Sequence, residues 1–188
     1  MRGLGLRFRT EGFPFSFAYK TSQAIDRIVV LCHKISVFLV MIFILLGTWN
    51  VAGRFVGKFL AVKLTSSYFV DFQEYLFDII FLSGIAYGLQ VDFHSRVEFF
   101  FEKFSEKQRW LVEFLSLTLL LVPFATLVLI HTWSAFLAAL AVREGSLAGG
   151  LPRYPIRLIV VAGIMLLILQ ALAKISQLAI KFLRNPVG

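Results

Sequence analysis

Long runs of apolar residues, broken by short charged segments, organise this chain. Residues 35–53 continue for 19 positions without Asp, Glu, Lys or Arg, residues 114–142 for 29, and residues 158–173 for 16. A helix rises about 1.5 Å per residue and a bilayer's hydrocarbon core is about 30 Å thick, so each run can form a crossing. The 114–142 run is longer than a crossing needs, and Pro123 predicts a kink within it. Arg157 and Lys174 bracket the last run and are placed to snorkel to the two interfaces. A fourth run, residues 79–91, has only 13 uncharged positions. It becomes a full span when Phe72, Tyr75, Leu76 and Phe77 extend its apolar pattern. The pattern predicts an all-α membrane protein with four transmembrane helices, at about 35–54, 71–91, 110–141 and 156–180. These lie in one integral membrane domain covering 1–188, with residues 1–25 as an N-terminal cytoplasmic extension.

Composition supports this. Of 188 residues, 59% are hydrophobic, 16% are charged and 21 are phenylalanine, and the mean hydropathy is +0.81. That is too little charge for the surface of an ordinary soluble enzyme and too much apolar content for a disordered chain. The net charge of +8 comes from basic residues scattered between apolar blocks. This pattern fits anionic membrane lipids rather than nucleic acid. The single cysteine, Cys32, excludes an internal disulfide and a cysteine-based zinc site.

Thirteen of the 19 Lys and Arg residues fall in residues 1–34, the second loop and the C-terminal tail, against six in the other two loops. The positive-inside rule therefore places both termini in the cytoplasm. The first apolar run exceeds a signal-peptide core and lacks a small-residue cleavage site, so it is expected to remain as an anchor. Val97, Phe100, Phe101 and Phe104 recur at helical spacing opposite Glu98, Glu102, Lys103 and Glu106. They predict an amphipathic helix over 96–106 lying on the cytoplasmic headgroups. Residues 54–66 are a second, less regular interfacial segment. Three glycines and two prolines make residues 144–155 an irregular connection.

Chemistry-bearing residues are few. Asp71, Glu74 and Asp78 recur at i, i+3, i+7 near the outer end of the second span. They could form a proton or sodium relay, but a boundary position favours an interfacial anchor, with Arg54 as the nearest cation for Glu74. We therefore expect an Arg54–Glu74 contact fixing span one against span two. Of the three histidines, His131 lies toward the opposite end from His33 and His94. Only His33 and His94 could pair, and both flank charged loop residues, so bis-histidine haem ligation is disfavoured and no cofactor is expected. Gly84 and Gly88 permit close helix approach. There is no phosphate loop, nucleophile motif or metal cluster, so a partner-binding membrane protein ranks above an enzyme.

The order of several motifs goes further. Asn50-Val51-Ala52-Gly53-Arg54 ends span one, Glu74 opens span two, and Gly84-Ile85-Ala86-Tyr87-Gly88-Leu89 closes it. His94-Ser95-Arg96-Val97-Glu98 follows, Leu121-Val122-Pro123-Phe124 lies in span three, and Arg143-Glu144-Gly145-Ser146 leads through Gly149-Gly150-Leu151-Pro152 to a last span containing Leu169-Gln170. Over about residues 26–175 this resembles the DctQ-type small membrane subunit of tripartite ATP-independent periplasmic (TRAP) transporters. The 144–152 connection is similar to that of the mannitol-like or chloroaromatic acid branch. Gln90, Ser95 and Glu98 depart from the commoner residues, and residues 1–25 have no counterpart. The resemblance implies a non-catalytic scaffold in the bacterial inner membrane. It implies a large permease subunit and a periplasmic solute-binding protein as partners, and uptake of an organic acid. Arg54, Glu74, His94, Arg96, Glu98, Glu144 and Ser146 carry over as structural or interface positions. The same fold could also serve as an accessory subunit of a respiratory or photosynthetic complex, or as a haem-bearing electron-transfer subunit.

Overall fold

The computed structural model describes residues 13–91, 105–146 and 150–184, and every element named within them is helical. His94, Arg96, Glu98 and nearly all of the expected 96–106 interfacial helix lie outside the described residues, as do residues 1–12.

Helix α1 runs unbroken over Phe13–Leu60, 48 residues. At about 1.5 Å per residue it is about 72 Å long, more than twice a hydrocarbon thickness. The apolar 35–53 run is thus the middle of a longer rod. Residues 54–66 do not form a separate interfacial helix. α1 continues to Leu60, Ala61 turns the chain with φ of 54°, and the Val62 N–H donates to the Gly57 carbonyl at 3.0 Å. Helix α2, Tyr68–Gln90, then returns antiparallel to α1.

The third rod is composite. Helix α3, Glu106–Leu115, starts at a capping box: the Gln108 N–H donates to Ser105 Oγ at 3.4 Å, and the Ser105 N–H to Gln108 Oε1 at 2.9 Å. These bonds satisfy amides that a helix end leaves free. Ser116–Leu121 follows as a π-helical turn, leading into α4, Val122–Val142. Pro123 explains the turn. Proline lacks an N–H, and its ring crowds the carbonyl four residues back, so one wider turn absorbs the misfit. The expected kink is resolved by that turn. α4 ends with Arg143 in the left-handed region, φ 49°, and α5 covers Tyr154–Arg184.

Helix α5 is the hub. It packs against α1, α2 and α4, and α1 packs against α2. Leu89, Leu117, Ala171 and Leu178 form a buried cluster, with Trp110, Phe114 and Ile175 against it. α2 and α5 approach closely at Gly163, where an added Cβ would lie 2.6 Å from Leu82 Cβ. Gly84 and Gly88 are not packing glycines, since a Cβ at either would meet nothing within 4 Å. Their i, i+4 face points away from the neighbouring helices.

The outer faces are apolar. Phe38, Met41, Ile44 and Leu45 on α1, Leu119 and Leu120 in the π-helical turn, and Phe124, Leu127 and Ile130 on α4 are each more than half exposed. A soluble surface does not carry so much contiguous apolar area, whereas a lipid-facing one does. Three helical stretches, Lys20–Leu60, Gln108–Val142 and Tyr154–Ile180, are long and apolar enough to cross a membrane. α2 is long enough, but Asp71, Gln73, Glu74 and Asp78 lower its apolar content.

Candidate functional site

Buried polar contacts between helices gather in two belts, one at each end of the bundle. The first belt joins the α1–α2 end to the connection before α5. Asp71, in the first turn of α2, is only 4% exposed. Its carboxylate accepts from Ser146 Oγ at 2.6 Å and from the Leu151 N–H at 3.4 Å, and Tyr75 Oη donates to the Pro152 carbonyl. The connection is itself a tight hairpin. The Ser146 N–H donates to Leu151 O at 2.7 Å, and the Arg153 N–H to Glu144 O at 2.7 Å. Gly150 turns it with φ of 79°, a conformation that favours glycine. Glu144 sits between two cations, 3.3 Å from Arg153 and 2.8 Å from Arg157. Arg157 also donates to the Ala135 carbonyl at 2.6 Å. It is therefore a brace between α4 and α5, not a freely snorkelling interface residue.

Arg54 and Glu74 do not pair. Arg54 Nε donates to Asn50 Oδ1 at 3.2 Å, and Asn50 Nδ2 reaches Gln73 Oε1 at 3.5 Å. Gln73, not Glu74, faces α1: a Cβ on Gly47 would lie 2.9 Å from its amide nitrogen. One residue further along a helix is about 100° further round, so Glu74 points outward and is exposed. The three carboxylates consequently differ: Asp71 is buried, Glu74 exposed and Asp78 half-buried.

The second belt lies at the opposite end and was not visible as a cluster in the sequence. Gln170, 1% exposed, donates to Asp26 Oδ1 at 2.9 Å, and Gln177 Nε2 donates to Asp26 Oδ2 at 3.1 Å and also to Ser22 Oγ. Gln90 Nε2 donates to the Asp26 carbonyl at 3.3 Å. Lys174 is turned inward, at 9% exposure, correcting its expected snorkelling. Its ammonium donates to Leu89 O at 2.8 Å and pairs with Glu113 at 3.1 Å. Removing these charges from lipid requires partners, and α3 supplies Glu113. The one sequence sign of this belt was Gln170, a polar residue inside an apolar run.

Elsewhere, Ser36 Oγ and Ser83 Oγ share a hydrogen bond between α1 and α2. His33 stacks on Tyr87 with ring centroids 3.8 Å apart, and His131 is exposed. No group of three His, Cys, Asp or Glu side chains suited to a metal occurs among the described residues.

An all-helical bundle with apolar outer faces and buried polar contacts toward its ends is a membrane protein. Residues 43–180 match the family model described as tripartite ATP-independent periplasmic transporters, DctQ component. The chain belongs to that family, the small permease subunits of TRAP transporters. No individual characterised protein and no solved structure matches it.

Proposed function

We propose that this chain is a non-catalytic scaffold that crosses the bacterial inner membrane four times, with both termini in the cytoplasm. It braces the large permease subunit and helps dock a periplasmic solute-binding protein during organic acid uptake. α2 is taken as the fourth crossing because it packs between α1 and α5, and its two ends join the two polar belts. The bias of Lys and Arg puts the Asp26–Lys174 belt on the cytoplasmic side and the Asp71–Glu144 belt outside.

The observation that carries the scaffold reading is the placement of buried polar pairs. They lock the helices together at both ends and leave long apolar faces on α1 and α4. Helix association in lipid relies on packing and polar pairs, so such a bundle is a rigid body with faces available to a partner. The test is deletion of the chain from cells that carry the complete transporter. Uptake of the cognate acid should be lost while the secreted binding protein keeps its affinity for substrate. The full chain should also copurify with a large multi-span permease. Normal uptake in its absence would overturn the scaffold reading.

A further inference from the structure

We propose that the turn between α1 and α2 holds the phosphate of an anionic phospholipid. Gly53 and Gly57 let the turn lie flush on α1: a Cβ on Gly57 would lie 2.5 Å from the Val62 carbonyl oxygen, and one on Gly53 2.5 Å from Thr65 Cγ2. What this leaves is an open cleft of about 420 Å³, lined by Arg54, Lys58, Lys63, Thr65, Ser66 and Ser67. No carboxylate pairs with any of its three cations among the described residues. Among the described residues Arg54 bonds to the neutral Asn50.

The surroundings select a lipid over a soluble anion. Gly53 is the last residue of the uncharged 35–53 run, which puts Arg54 at headgroup level. Around the cleft Phe55, Phe59, Leu60, Val62 and Tyr68 are exposed, with the Phe55 and Phe59 rings edge-on, centroids 4.9 Å apart. A phosphate among cations with apolar chains against an adjacent aromatic collar is the chemistry of a phospholipid. A soluble acidic partner would leave the collar unused. A second groove, at Arg27, Lys34 and Gln90, differs because Asp26 forms part of its wall. This inference rests on the membrane reading only for the depth of Arg54, and its test does not involve transport, so either can fail alone.

The full chain is reconstituted in phosphatidylcholine nanodiscs containing phosphatidylglycerol, extracted, and examined by native mass spectrometry. One phosphatidylglycerol should be retained in preference to phosphatidylcholine. Retention should fall at least about tenfold in K58Q/K63Q, persist in K58R/K63R, and be unchanged in R27Q/K34Q. Equal retention in K58Q/K63Q and the parent overturns the proposal. Displacement of the lipid by millimolar inorganic phosphate also overturns it, by assigning the cleft to a free anion. So does unchanged retention accompanied by lost capture of the binding protein, which would assign the cleft to a protein.

Discussion

Ser146 donates its hydroxyl to the buried carboxylate of Asp71 at 2.6 Å, tying the connection before α5 to the first turn of α2 across 75 residues of chain. Two residues from the sequence reading acquire distinct roles here. Ser146 supplies the donor, and Glu144 holds the base of the hairpin through Arg153 and Arg157.

Asp71→Ala should therefore strip partners from Ser146 and the Leu151 amide. Losing the acceptor of these two partly buried donors costs about 0.5–1.5 kcal/mol per bond. Thermal unfolding in detergent should show a clear fall for Asp71→Ala and a smaller one for Asp71→Asn, which keeps an acceptor for Ser146. Limited proteolysis should cut the 144–152 connection faster in the alanine variant. Unchanged melting and cleavage would show that the contact does not hold the loop.

The Lys174–Glu113 pair has a different signature. Lys174→Met takes the ammonium away from a partly buried carboxylate, at a cost of up to about 3–5 kcal/mol, whereas replacing both charges by apolar residues is often neutral. The double variant Lys174→Met/Glu113→Leu should accordingly be more stable than Lys174→Met alone. A double-mutant cycle reads the coupling, and additive effects would show the pair to be energetically idle.

The apolar runs and the proline were legible in the sequence because lipid imposes length and hydropathy on any crossing helix. Facing was less legible. Glu74 and Gln73 are equally polar, and only the packing of α2 on Gly47 decides which one points inward. Lys174 beside an apolar run reads as a snorkelling residue until α3 is seen to bring Glu113 to it. Asp26 carried no local sign, because its partners Gln170 and Gln177 are 144 and 151 residues away.

Gly163 shows the same limit of pattern reading. Gly84 and Gly88 have the small-residue spacing, yet it is Gly163 of α5 that lies close against Leu82 of α2. Gly163→Val should force Leu82 aside and destabilise the bundle by about 1–3 kcal/mol. Gly88→Ala should be neutral or slightly stabilising, since alanine is the better helix former and space is open. Melting temperatures of the two variants in the same detergent check this, and the reverse order would sink it.

The crossing of α2 is testable without a partner, because α2 is the described helix between Lys63 and Ser105. In a Cys32→Ser background, Lys63→Cys should react with a membrane-impermeant maleimide on intact spheroplasts. Ser105→Cys should react only after permeabilisation. This follows from the excess of Lys and Arg on the Ser105 side, despite three cations at the α1–α2 turn. A reversed pattern would invert the orientation while keeping α2 as a crossing. Labelling of both from the same side would remove α2 from the crossings, because its two flanks would then lie on one face of the membrane.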